Sequence, residues 1–156
     1  MEQENKYYTP DVENIRYGYE MEWLNKANES SFVLDGVDVD TWTKWDYEFQ
    51  GLSLNGIRNM IADKRLRVPY LTKEQIEELG WKHIGTMRDG GTTTYQIKDK
   101  YTLDYRETNQ ILKGTERYRE ITIKELTENH MFKHLITVEC KSINDLRYLM
   151  KLLKIQ

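Results

Sequence analysis

Glu20 and Glu22 stand two positions apart, with Met21 between them, in YGYEMEW, residues 17–23. In a strand, residues i and i+2 share a face roughly 6.6 Å apart, near enough for two carboxylates to hold one hard cation. The solvated face of any half-buried sheet shows the same alternation of acidic and apolar residues, and that wet face is the expectation here. His130 and His134 are four apart, a zinc spacing on a helix. The region reads as a turn entering a strand, where four residues span roughly 13 Å, and no Glu follows His130 to make a metalloprotease motif. His134 shares a parity with Phe132, Ile136, Val138 and Cys140, which places it on the core face. Cys140 would lie roughly 20 Å along that strand from His134, too far for a nucleophile and base pair. It reads as a small buried hydrophobe.

RDGGTTTY (88–95) has no following Lys and opens a strand rather than a helix, so it reads as a hairpin turn and not a phosphate cradle. The basic clusters are DKRLRVPY (63–70) and KGTERYRE (113–120). Lys64, Arg65 and Arg67, with Tyr70 and the aromatic segment Trp42, Trp45 and Tyr47, are the candidate residues for an anionic ligand or an acidic partner. The competing reading makes the cations a solvated helix end and the aromatics a core stripe. No catalytic residue, metal ligand or cofactor is assigned.

The elements that would position these residues follow from periodicity. Ile15, Tyr17, Tyr19, Met21 and Trp23 alternate with polar residues and predict a first strand. FVLDGVDVD (32–40) predicts a hairpin at Asp35–Gly36, and TWTKWDYEF (41–49) a strand with Trp45, Tyr47 and Phe49 on one side. Leu54, Ile57, Met60 and Ile61 recur at helical spacing after a cap at Ser53 or Asn55. LTKEQIEELGW predicts a helix capped reciprocally by Thr72 and Gln75 and stopped at Gly80. From Trp81 to Cys140 six short strands form an antiparallel meander, KHIGTMR, TTTYQIK, YTLDYRE, QILKG, REITIKEL and FKHLITVEC; a helix from Thr115 to Leu135 is the alternative, against which the β-branched run Ile121, Thr122 and Ile123 favours strand. A final helix, capped by Ser142, carries Ile143, Leu146, Leu149, Met150 and Leu153 on one face. The expected class is α+β: a mostly antiparallel meander with two short mid-chain helices and a C-terminal amphipathic helix packed on the sheet.

Composition bounds the function. With 156 residues the chain suits one domain spanning 1–156. A net charge of −3 offers no field for coating nucleic acid. The single cysteine excludes an internal disulfide, and MEQENKYYTPD lacks a secretion signal, so a soluble cytoplasmic protein is expected. Eleven Tyr and four Trp against three Phe favour half-buried sheets and also recognition surfaces.

Gly18, Glu20 and Glu22 resemble the metal-binding strand of carboxylate–amine ligases related to glutamine synthetase. Those enzymes need a much longer chain, further carboxylates and a phosphate grip that this sequence lacks. Three landmarks, YTPDVENIRYGYEMEW, RVPYLTKEQIEELGWKHIG and TVECKSINDLRYLMKLLKI, together resemble small proteins of tailed phages and prophages of gut bacteria. That set has no established activity, cofactor or catalytic residue, so the resemblance implies a setting: a phage product made in a bacterial cytoplasm. The expected function is a non-catalytic accessory binding protein that inhibits a host or defence protein or sequesters an anionic signalling molecule. Homo-oligomerisation stays open, as do a minor virion or assembly protein and a metal-dependent enzyme built on Glu20 and Glu22.

Overall fold

Two antiparallel sheets organise the computed structural model, which describes residues 6–26, 41–47, 53–88, 91–108 and 118–155. The chain divides into two compact units, Met1–Tyr70 and Leu71–Gln156. With three α-helices beside the sheets, the architecture is α+β, as expected.

The first unit contains β1 (Tyr7–Tyr8), β2 (Glu20–Asn25), β3 (Thr41–Asp46), α1 (Leu54–Ala62) and β4 (Leu66–Pro69), with sheet order β1-β4-β2-β3. Its first long strand starts later than the alternation predicts. Gly18 adopts φ 77°, a conformation a side chain resists, and its N–H donates to Tyr47 O at 2.7 Å. The turn ejects Tyr17, which is 69% exposed, while Ile15, Tyr19 and Met21 are buried and Trp23 packs on them. A glycine inside an alternating run was the available sign of this break.

Ser53 caps α1 by accepting from Gly56 N at 3.2 Å, and Ile57, Met60 and Ile61 pack on the sheet as expected. Leu54, assigned to the same face, is exposed. The core face of the sheet also carries Trp45, Leu66 and Val68. β1 and β4 were not expected. Leu66 and Val68 are buried, so the flanking Arg65, Arg67 and Pro69 belong to the opposite face. The hairpin expected in 32–40, and Phe49, lie outside the described residues.

The second unit runs α2 (Lys73–Glu78), β5 (Lys82–Thr86), β6 (Thr92–Ile97), β7 (Tyr101–Thr108), β8 (Tyr118–Leu126), β9 (Phe132–Glu139) and α3 (Ile143–Leu152). Its five strands follow one another in space, β5-β6-β7-β8-β9, the meander predicted from the turn signals. The strand expected at QILKG lies outside the described residues.

Both helices begin with the reciprocal caps that prevent orphan N–H groups. Thr72 and Gln75 cap α2; Ser142 and Asp145 cap α3, with Asp145 also accepting from Lys141 N at 2.9 Å. Gly80 ends the α2 turn at φ 91°. Ile143, Leu146 and Leu149 from α3 and Ile76 from α2 join Tyr95, Leu103, Tyr105, Ile121 and Ile123 in the core. Each such aliphatic side chain gains about 1.5–3 kcal/mol on burial. No helix among the described residues is long and apolar enough to cross a membrane.

Candidate functional site

The structure divides the candidate binding residues among three environments. Tyr47 is buried in the first unit's core, and Trp45 packs on that core with its ring edge-on to Tyr47 at 6.0 Å. Tyr70 is buried too, its ring 5.1 Å from that of Tyr8. Lys64 is exposed in the turn that ends α1, at φ 55°. Trp42 and Arg67, in contrast, come together on the solvent side of the first sheet.

Pairing explains the encounter. Glu22 on β2 lies opposite Arg67 on β4 and Lys44 on β3, while Leu24 lies opposite Trp42. Neighbours opposite each other share a face, so Glu22, Arg67, Lys44, Leu24 and Trp42 all project away from Met21 and Leu66. Tyr7 on β1 joins them from the other side of β4.

Arg67 is the centre of this cluster. Its guanidinium lies 3.6 Å from the Tyr7 ring centroid and 4.0 Å from that of Trp42, a cation held between two aromatic faces. Nε and Nη2 both donate to Glu22 Oε2, at 2.7 and 2.6 Å. The side chains of Arg67 and Glu22 are 25% and 14% exposed, so solvent screens the pair only in part. Arg65 extends the row, donating from Nη2 to Leu24 O at 3.3 Å.

The opening carboxylate pair is thereby revised. Glu20 and Glu22 do sit on the outer face of the sheet, but Glu22 is a partly buried counter-ion rather than a solvated residue. Among the described residues no three His, Cys, Asp or Glu side chains are grouped to hold a metal ion. Sequence reasoning missed Tyr7 and Glu22 as partners of Arg67. The buried alternation of Leu66 and Val68 was the signal for β4, and with it for what Arg67 faces.

His134 also departs from expectation. The ladder between β8 and β9 pairs Ile123 with Ile136 but Lys124 with His134, so Leu135 is the extra residue of a β-bulge. The bulge resets the alternation: Ile136 and Val138 pack on the core, while Phe132 and His134 are exposed. Cys140 is fully buried as expected, and burial pushes its thiol well above the usual range.

Chemically, the Arg67 cluster offers rigid aromatic area, a preorganised guanidinium and a neighbouring ammonium at Lys44. It offers no nucleophile beside a base. No protein family, curated protein or solved structure matches this chain.

Proposed function

We propose that this chain is a phage-encoded accessory protein that works in the bacterial cytoplasm by binding, without catalysis, an acidic surface of a host or defence protein. The phage setting rests on the resemblance of the three sequence landmarks. One observation carries the binding reading: Arg67 is stacked between Tyr7 and Trp42 on the outer face of a sheet and tied to Glu22.

Trp, Tyr and Arg dominate the energetic centres of protein interfaces, and side chains already fixed in the free protein lose little entropy when a partner arrives. Lys44 and Arg65 add positive charge toward the Trp42 end of the face, whereas Glu20 and Asp46 face each other at the opposite end, so an acidic group of the partner is favoured at the Trp42 end. Arg67 commits Nε and Nη2 to Glu22 and both faces of its guanidinium to Tyr7 and Trp42, which leaves little of it to wrap a small anionic molecule and supports a protein surface instead. The metal-enzyme reading would have to release Glu22 from Arg67 first.

The test is affinity capture from infected bacterial cells with tagged wild type, Trp42→Ala and Arg67→Glu, each checked for an intact thermal transition. The expected result is a stoichiometric protein partner held by wild type and lost by both variants. A partner held equally by all three, or none held by wild type, overturns the reading. Native mass spectrometry of the same wild-type preparation distinguishes a retained small molecule from a protein.

A further inference from the structure

The outer face of the second sheet carries an ordered polar array that the binding reading does not use. Cross-strand partners form two adjacent rows: Thr94, Asp104, Thr122 and Thr137, then Gln96, Thr102, Lys124 and His134. Thr94 Oγ1 donates to Asp104 Oδ1 at 2.8 Å, and Lys124 Nζ donates to Asp104 Oδ2 at 2.8 Å. The Thr122 and Thr137 hydroxyls are 2.9 Å apart, and His134 Nε2 is 2.8 Å from Thr137 Oγ1.

We infer that the quadrant Thr122, Lys124, Thr137 and His134 binds a small phosphate-class oxyanion. The four residues stand about 5 Å apart across the strands at the backbone, and Thr137 gathers the Thr122 hydroxyl and the His134 imidazole at 2.9 and 2.8 Å. With Nε2 protonated, that chain keeps one proton to donate outward, beside two ammonium protons of Lys124, a set that one tetrahedral anion can accept. Asp104 takes only one of the three ammonium protons of Lys124 and fixes the side chain in place. Both oxygens of Asp104 are occupied by Thr94 and Lys124, which blunts its repulsion of an incoming anion.

The bulge is the independent pointer. Regular pairing would turn His134 toward the core beside Ile136; the extra residue Leu135 instead delivers it to Thr137. Bulges recur beside functional sites because they re-aim one side chain without dismantling the strand. One row further along, Glu120 stands between Arg106 and Glu139, a row of two carboxylates to one cation, so the array disfavours extended polyanions and suits a compact anion.

The experiment is a titration of the full chain with inorganic phosphate, and separately with glycerol phosphate, following the imidazole resonances of His134 by NMR against chloride at matched ionic strength. The His134→Gln variant assigns the signal among three histidines. The expected result is a saturable shift with phosphate and none with chloride, weakened about tenfold in Lys124→Met and also in Thr137→Val, as loss of a charge-assisted or shared hydrogen bond requires. Saturation by the free ion alone names inorganic phosphate as the ligand; saturation by both names the phosphate group of a monoester, and either supports the site. A linear response equal to that of chloride, or saturation unchanged in both variants, overturns it. The threonine change keeps a β-branched shape on an exposed position, so folding survives it.

Discussion

Arg67 Nη2 lies 2.6 Å from Glu22 Oε2 although 45 positions separate the two residues. Antiparallel pairing of β2 with β4 makes them neighbours, and the Tyr7 and Trp42 rings close over the guanidinium from both sides. A lysine at this place would retain the charge but lose the flat cation and the double donation to one oxygen. Arg67→Lys is therefore expected to cost about 1–2 kcal/mol and to shift the emission of Trp42 to the red as its ring loosens. Urea unfolding followed by tryptophan fluorescence checks both. An unchanged midpoint and spectrum would mean that the stack does not hold the face together.

Tyr95 is fully buried, and its hydroxyl has no hydrogen-bond partner among the described residues. Burial, with the carboxylate of Glu77 second, pushes its ionisation up to about 12. A free phenol ionises near 10, so below about pH 10 both folded and unfolded chains keep the proton and nothing is lost. Between about pH 10 and about pH 12 the unfolded chain releases its proton while the fold retains it, and stability falls as pH rises. Tyr95→Phe removes both the unsatisfied hydroxyl and this sensitivity. It should raise the neutral melting temperature, by a free energy of about 1 kcal/mol, and flatten the decline toward about pH 11. A variant less stable at neutral pH would show that the hydroxyl is satisfied.

Lys64 adopts φ 55° where α1 ends and Lys154 adopts φ 57° just after α3, the left-handed conformation that Gly80 supplies after α2. A side chain there costs roughly 1 kcal/mol relative to glycine. Lys64→Gly and Lys154→Gly should each raise the unfolding free energy by about that amount, read as a higher urea midpoint at unchanged slope. Because Lys64 serves the helix end rather than the Arg67 stack, its replacement should leave partner capture unchanged. Loss of capture with Lys64→Gly would return this lysine to the binding face.

These cases also mark what the chain discloses of itself. Thr72 with Gln75, and Ser142 before the Leu-rich helix, were legible because capping is local, decided within a few residues. The meander was legible for the same reason: its turns separate strands that pair in sequence order. The Arg67 cluster was only half legible, since Trp42 and Arg67 could be named as candidates but Tyr7 and Glu22 reach them through non-sequential pairing. Trp45, Tyr47 and Tyr70 were named with them, and composition does not distinguish an aromatic that fills a core from one that faces solvent. His134 and Tyr17 were misassigned by parity alone. A bulge at Leu135 shifts the alternation by one position, and a turn at left-handed Gly18 expels Tyr17 while Ile15, Tyr19 and Met21 keep theirs, neither of which a count of apolar residues registers.

Cys140 offers a probe of the second unit that needs no substitution. It is the single cysteine of the chain and is fully buried between β9 and α3. Burial, reinforced by the carboxylates of Asp145 and Glu139, raises its thiol ionisation well above normal, so the reactive thiolate is scarce near neutral pH. Labelling by a thiol reagent should therefore wait for the second unit to open, proceeding slowly in native buffer and accelerating steeply in urea. Raising pH within the stable range should speed labelling of the opened chain, whose thiol ionises near 8.5, without exposing the native one. Measuring the rate across urea concentrations converts it to an opening free energy. Immediate stoichiometric labelling in native buffer would contradict the burial of Cys140 and, with it, the core that it shares with Ile143 and Leu146 from α3.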